Sequence, residues 1–178
     1  DIALVNGGGI RKQIEAGDIT LDDIYSVHPF GNTMCVIRVT GQQVLDALEW
    51  GARAVPSENG GFLQVSGLTY EIHTGVASSA EKDENGMFTR VSGEYRVKNV
   101  MVGGQPLELD KTYTLASHNY MLLGHGDGYT MFDGCEVLGE DMMVDNQVLI
   151  TYITTTLGGV VGEQYANPYG DGRIVAVE

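Results

Sequence analysis

The sequence predicts an α+β protein in which helices pack on a mixed or antiparallel β-sheet. Short apolar segments typical of strands and longer segments with helical spacing follow one another without a steady β-α-β alternation. The length of 178 residues and the hydrophobic content of 43% suit one domain, residues 1–178, with a core of its own.

Three segments predict helices, in chain order Leu21–Val27, Gly41–Val55 and Asn146–Leu157. Thr20 precedes the first helix as its cap, and Asp23 lies in its first turn. Thr40 and Gln43 have the spacing of a capping box at the start of the second helix, which ends before a proline. Asp145 is the expected cap of the third helix, and two glycines follow its end.

Strands are predicted at Ile2–Val5, Met34–Val39, Leu68–His73, Tyr95–Val102, Leu107–Leu109, Tyr113–Ser117 and Ile174–Val177. The segment Val102-Gly103-Gly104-Gln105 predicts a hairpin turn. The polar segment Glu81–Gly86 predicts a loop or a hairpin tip.

The charge balance restricts the partners of this protein. The net charge is −14 with ten Lys and Arg residues, which argues against binding a nucleic-acid polymer or an anionic membrane surface. No apolar stretch is long enough to predict a membrane span. Cys35 and Cys135 lack the spacing of a zinc site, and the sequence leaves open whether they are buried thiols or a disulfide.

The first motif is Asn6–Arg11, which reads N-G-G-G-I-R directly after the first strand. Its glycines allow tight backbone turns and can bring N–H groups close to a ligand. Arg11 offers a fork of donors suited to phosphate or sugar oxygens. A purely structural glycine turn is the alternative, because the motif is neither a Walker loop nor G-x-G-x-x-G.

Two later motifs could present aromatic rings on loops. Phe30 lies between a proline and a glycine, which suggests a shaped loop, although a core position is the alternative. Asn32, two residues on, has the donor and acceptor needed for the edge of a base. Tyr120 is a second aromatic residue, and two such rings can clamp a planar ligand between them.

Asp127 lies between two glycines in the segment Gly126-Asp127-Gly128. A carboxylate there can accept hydrogen bonds from two neighbouring hydroxyls, as on a ribose. An Asx-turn with no ligand is the alternative interpretation. The sequence contains neither H-E-x-x-H nor G-x-S-x-G, so we predict no catalytic residue and no metal site in this chain.

Taken together, these motifs resemble the C-terminal, substrate-binding domain of the 5′-nucleotidase and UDP-sugar hydrolase family. The matching segments are Asn6–Arg11, Gly17–Ile19, Pro29–Asn32, Val39–Gly41, Phe62–Gly67 and Gly126–Tyr129, in that order. The resemblance covers nearly the whole chain and implies the family's α+β fold with a mixed sheet.

The resemblance also implies a role for each matching residue. Phe30 and Tyr120 would clamp the nucleobase, with Tyr120 where the family usually has Phe. Asn6 and Asn32 would contact the edge of the base.

The remaining roles concern the sugar and the phosphate. Arg11 would reach the ribose or the phosphate, and Asp127 would hold the ribose hydroxyls. Gly60 would line the pocket with its backbone.

In the family, the chemistry belongs to a separate N-terminal metallophosphatase domain with two divalent metal ions, to which this domain delivers a 5′-nucleotide or nucleotide-sugar. The resemblance therefore implies that the isolated chain is inactive and needs no cofactor of its own. It implies a periplasmic, secreted or cell-surface parent protein. A free-standing nucleoside-binding module without a catalytic parent is the second hypothesis. A structural domain with a decayed site is the third.

Overall fold

The computed structural model describes residues 1–167 and 170–178, which form three β-sheets and four short α-helices. The helices are α1 (Leu21–Val27), α2 (Gly41–Ala52), α3 (Asn119–Leu122) and α4 (Asp145–Thr151). The strands are β1 (Ile2–Asn6), β2 (Met34–Thr40), β3 (Leu63–Ser66), β4 (Leu68–His73), β5 (Ala80–Lys82), β6 (Phe88–Val91), β7 (Val97–Val102), β8 (Gln105–Pro106), β9 (Thr112–His118), β10 (Glu136–Gly139) and β11 (Ile174–Val177).

The main sheet has five strands in the order β10-β2-β9-β1-β3. Within it, β1 and β9 run parallel, and the other neighbours run antiparallel. A second sheet has the order β11-β4-β7-β8, with β11 parallel to β4, and β5 and β6 form a two-stranded hairpin. The predicted α+β class with a mixed sheet and packed helices is confirmed, although the strands form more than one sheet.

Helix α2 lies at the centre of the molecule. It contacts β2 and β3 of the five-stranded sheet, β7 of the four-stranded sheet, and β6 of the hairpin. Its residues Val44, Ala47, Leu48 and Trp50 are buried in the common core. Gly41 begins the helix where a Cβ atom would lie 2.2 Å from the carbonyl oxygen of Glu108, so this close approach requires glycine. One helix thus joins the two larger sheets into a single core.

The predicted helix starts are confirmed for α1 and α2. Both Thr20 with Asp23 and Thr40 with Gln43 form complete capping boxes. Helix α2 ends at Ala52 rather than Val55, because the N–H of residue 53 turns back to Trp50 in a tighter turn.

The predicted third helix differs in both its start and its end. Val144 is the cap of α4, and Asp145 is its buried first residue. From Tyr152 to Thr156 the chain widens into a π-helix, within which the Thr154 hydroxyl donates to the Ile150 carbonyl at 2.8 Å. Such threonine side chains compete for carbonyls of the preceding turn, which accounts for the loss of the regular α-helix.

Several strand predictions need correction. Strand β7 begins at Val97 rather than Tyr95, and Leu107–Leu109 is not a strand, since the chain leaves the sheet after β8. Five short strands were missed, namely β3, β5, β6, β8 and β10. The predicted hairpin tip at Glu81–Gly86 contains the β5–β6 turn, although its first two residues belong to β5.

Both cysteines carry free thiols, so the question left open by the sequence is answered against a disulfide in this structure. Burial raises the pKa of Cys35 and of Cys135 above the usual value for a thiol. Within the described residues, none of the helices has the length and apolar character needed to cross a bilayer.

Candidate functional site

The loops with the predicted site residues emerge at one end of the five-stranded sheet. The register places Asn6, the last residue of β1, beside Leu63, the first residue of β3. It also places Met34, at the start of β2, beside His118, at the end of β9. The segments that follow β1 and β9 and precede β2 and β3 therefore meet at this end. The sheet topology thus gathers four loops that are far apart in sequence.

The glycine turn after β1 packs against the turn before β3. Gly7 N–H donates to the Phe62 carbonyl, and Gly8 N–H donates to the Gly60 carbonyl, each at 2.7 Å. A Cβ atom on Gly8 would lie 3.1 Å from the Gly60 backbone. The expectation that these N–H groups face a ligand is therefore wrong for Gly7 and Gly8. Their function is to fix Gly60 beside the end of β1.

Three predicted site residues meet directly through hydrogen bonds. Asn6 Nδ2 donates to Asp127 Oδ2 at 2.6 Å, and the Tyr120 hydroxyl donates to Asp127 Oδ1 at 3.1 Å. Burial, followed by the Asp127 carboxylate, raises the pKa of Tyr120. The Tyr120 hydroxyl thus has a partner within the site. Asp127 itself has left-handed backbone angles (φ 54°).

His118, a residue that none of the sequence motifs marks as functional, extends this group into the core. Its Nε2 atom lies 3.1 Å from Asn6 Oδ1, and both side chains are buried, with 3% and 5% exposure. Burial lowers the pKa of His118 below its usual value, and His28 acts in the same direction. Asp145 and Asp127 oppose this shift by favouring the charged form. The signal that could have identified His118 is its position as a polar residue at the end of β9, the strand that runs parallel to β1.

Phe30 and Arg11 form a second pair. The Phe30 ring is 60% exposed, so the core alternative for this residue is wrong. The Arg11 guanidinium carbon lies 5.8 Å from the ring centroid, within cation–π range. Arg11 Nη1 also donates to the Gly8 carbonyl at 3.0 Å, which connects the pair to the glycine turn.

Asn119 joins the loop that carries Phe30 to the helix that carries Tyr120. Its side-chain Oδ1 accepts from Thr33 N–H at 3.1 Å and from Tyr120 N–H at 2.9 Å. Its own N–H donates to the Thr33 carbonyl at 2.8 Å. The backbone carbonyl of Asn32, the residue before Thr33, accepts a hydrogen bond from Asp145 N–H. Asn119 therefore connects the two segments that carry the aromatic rings, a role that its sequence position alone did not reveal.

The described contacts bring the seven predicted residues into one linked group but do not join all of them directly. The Phe30 ring contacts Arg11, whereas the Tyr120 ring lies 6.0 Å from the His118 ring and packs beside Gly126. Tyr120 is 42% exposed, so neither ring belongs to a core. Two shallow hollows on the four-stranded sheet are lined by other residues.

Beneath Asp127 lies Trp50, the chain's one tryptophan. Its Nε1–H donates to the Asp127 carbonyl at 2.9 Å, and the Arg53 guanidinium stacks on its ring at 3.7 Å from the centroid. Burial lowers the pKa of Arg53, while electrostatic interactions with Tyr129 and Asp127 act in the opposite direction. These contacts support the Asp127 loop from the core side.

Among residues 1–167 and 170–178, no group of three or more His, Cys, Asp or Glu side chains is placed to share a metal ion. The site instead combines exposed aromatic rings, a guanidinium group and a hydrogen-bonded carboxylate. An α+β domain with these groups at one sheet end has the composition of a small-molecule recognition domain.

Comparison with known proteins agrees with this class. The sequence model of the family described as "5′-nucleotidase, C-terminal domain" matches residues 1–134. The chain belongs to this family.

The relatives of this chain are much longer than the chain itself. The trifunctional nucleotide phosphoesterase protein YfkN of Bacillus subtilis is 35% identical over 176 residues, which are 99% of this chain and 11% of that protein. The 5′-nucleotidase of Vibrio vulnificus is 32% identical over 153 residues, or 86% of this chain and 24% of that protein. The crystal structure of a 5′-nucleotidase precursor from Thermus thermophilus superposes with a TM-score of 0.80 at 33% identity, covering 99% of this chain and 31% of that one.

Proposed function

We propose that residues 1–178 form the substrate-recognition domain of a 5′-nucleotidase-type phosphohydrolase and bind the base and ribose of a 5′-nucleotide or nucleotide-sugar. The observation that carries this proposal is the convergence of Asn6 and Tyr120 on the Asp127 carboxylate, at the sheet end where Phe30 is exposed. The small share of each relative that the chain spans favours this proposal over a free-standing nucleoside-binding module.

The base would lie between the rings of Phe30 and Tyr120. Both rings are exposed, and offset stacking on a base would cover them. Asn119 connects the two segments that carry these rings through its hydrogen bonds to Thr33 and Tyr120. Asn32 would read the edge of the base with its amide group.

The ribose hydroxyls would donate to Asp127. A carboxylate has about four acceptor positions, and two are occupied by Asn6 and Tyr120. The other two match the two neighbouring hydroxyls of a ribose. In this proposal Asn6 holds Asp127 with one N–H of its amide, whose oxygen contacts His118. Its second N–H contacts the edge of the base.

The phosphate side would be served by Arg11, whose guanidinium fork suits phosphate oxygens. Gly60 would complete the pocket wall through its backbone, held there by Gly8. We propose that hydrolysis takes place in a separate N-terminal metallophosphatase domain of the parent protein. Two divalent metal ions there would supply an activated water, and the isolated chain would be inactive. We place the parent in the periplasm, on the cell surface or outside the cell.

The proposal is tested by titrating the chain with adenosine, AMP and UDP-glucose by calorimetry, in parallel with Phe30→Ala. We expect at least one ligand to bind, and its affinity to fall about tenfold when the ring is removed. Leu109→Ala is the matched control, because it truncates another exposed apolar side chain away from the site. Failure of all three ligands to bind, or equal affinity of Phe30→Ala, would refute the proposal. Release of phosphate from AMP by the isolated chain with added Mn²⁺ would refute its inactivity.

A further inference from the structure

The interior side of the Asp127 site contains a histidine that the proposed function does not use. A hydrogen-bond chain runs from His118 Nε2 to Asn6 Oδ1 and from Asn6 Nδ2 to Asp127 Oδ2, with separations of 3.1 and 2.6 Å. We propose that His118 is a positioning residue that holds Asp127, through Asn6, in the orientation that accepts the ribose hydroxyls. The proposal rests on the proposed function, in which Asp127 binds the ribose.

The direction of each hydrogen bond follows from the acceptor at the outer end. An ionised carboxylate only accepts, so the Asn6 amide must present its Nδ2–H to Asp127. The Oδ1 atom of Asn6 therefore faces His118, and His118 must donate to it from Nε2–H. This fixes the imidazole as the tautomer with its proton on Nε2.

Burial gives this chain its rigidity. His118 and Asn6 are almost fully excluded from solvent, so water does not compete for their hydrogen bond. The other ring nitrogen, His118 Nδ1, is buried and has no hydrogen-bond partner among the described residues. The side-chain hydrogen bond of this imidazole is therefore the one from Nε2 to Asn6. An apolar side chain of similar size would serve packing alone equally well.

The backbone of β1, β9 and the glycine turn leaves just enough space for the contact between Asn6 and His118. Strands β1 and β9 are parallel neighbours, so their carboxyl ends bring Asn6 and His118 to the same point. A Cβ atom on Gly9 would lie 2.9 Å from Asn6 Oδ1 and 3.9 Å from His118 Nε2. The glycine turn thus admits the Asn6 amide in the position that His118 requires.

Substitutions at residue 118 separate the donor from the packing. The amide nitrogen of His118→Gln reaches about where Nε2 lies and keeps the donor. His118→Asn places its amide near the Nδ1 position and therefore loses the donor at the Nε2 position. His118→Leu keeps an apolar side chain of similar size and has no polar group at either position. The probes are adenosine and 2′,3′-dideoxyadenosine, which differ only in the two ribose hydroxyls.

We expect His118→Asn and His118→Leu to bind adenosine about tenfold more weakly, with a clearly smaller loss for dideoxyadenosine, which can lose only the base contact of Asn6. His118→Gln should bind both ligands within about twofold of the parent sequence. Equal losses for both ligands would mean that His118 has a structural role only, and would overturn the proposal. Failure of His118→Gln to preserve adenosine binding would overturn it as well.

A ligand-free readout distinguishes failure of this proposal from failure of the proposed function. Long-range ¹H–¹⁵N NMR spectra of the full chain near neutral pH should show the Nε2–H tautomer of His118. The Asn6 side-chain amide resonances should shift in His118→Asn and keep their positions in His118→Gln. The Nδ1–H tautomer, or unshifted Asn6 resonances in His118→Asn, would overturn the hydrogen-bond chain itself. If the expected tautomer is found but neither ligand binds, the proposed function and the ribose role fail together, while the hydrogen-bond chain is upheld.

Discussion

Replacing Asp127 by asparagine removes the charge of the proposed ribose acceptor while keeping its shape. Asparagine also tolerates the left-handed backbone of this position, so the loop conformation should survive. Both Asn6 and Tyr120 donate to this side chain, and the new NH₂ group replaces one of the two oxygens that accept from them. One of these two partners must therefore lose its acceptor, in addition to the loss of charge-assisted bonds to the ligand.

The size of the effect follows from the acceptor count. Two acceptor positions of the carboxylate remain for the ribose, and a hydrogen bond to a charged group contributes about 1.5 kcal/mol or more. Two such bonds amount to about 3 kcal/mol, which corresponds to a rise of about 100-fold in the Kd for adenosine. The Kd for 2′,3′-dideoxyadenosine should change far less, since this ligand makes neither bond.

The assay is a calorimetric titration of both ligands, with the fluorescence of Trp50 as a second signal because its Nε1–H donates to the Asp127 carbonyl. Asp133→Asn is the matched control, since it removes a carboxylate from an exposed side chain of the next turn. We expect the control to bind adenosine with unchanged affinity. Adenosine binding by Asp127→Asn within about threefold of the parent would refute the role of Asp127 as the ribose acceptor.

Three further predictions concern stability and the site framework. The pKa of His118 is lowered in the fold and near 6.5 in the unfolded chain, so unfolding takes up a proton below that pH. The free energy of unfolding of the parent, measured with urea, should thus fall by up to about 1.4 kcal/mol per pH unit as the pH falls through about 6.5. His118→Gln should lack this contribution, and equal slopes of unfolding free energy against pH for the two proteins would contradict this. Gly8→Ala should cost about 1–3 kcal/mol in thermal melts, because its Cβ would press on Gly60, whereas Gly60→Ala meets Gly8 at an ordinary 3.6 Å and should stay within about 0.5 kcal/mol; equal costs would be the opposing result. Asn119→Ala should weaken adenosine binding about fivefold, because Thr33 N–H loses its acceptor. Asn119→Asp keeps the acceptor and should keep the adenosine affinity of the parent. Comparable losses of affinity for the two variants in calorimetry would contradict the role of the acceptor.

The sequence predicts those elements whose local signals are strong. Thr20 and Thr40 with their partners define helix starts that the structure reproduces. Strands β3, β5, β6 and β10 have three or four residues each, so their local signals are weak and pairing with neighbours holds them in place. The π-helix after Thr151 depends on competition for carbonyls, which residue spacing does not reveal.

The candidate site shows the same division. The motifs identify Asp127 and Tyr120 as site residues because glycines and aromatic rings mark loops. They do not predict that the Tyr120 hydroxyl binds Asp127, or that His118 binds Asn6 across 112 residues of sequence. Those contacts depend on which strands are neighbours and on side-chain direction, and both are set by the whole fold.

The central claim is that one nucleobase lies between Phe30 and Tyr120. Intermolecular NOEs from the adenine protons of bound adenosine to the ring protons of both residues would test it most directly. We expect NOEs from the same bound base to both rings. NOEs to only one ring, or to neither, in a saturated complex would contradict the clamp.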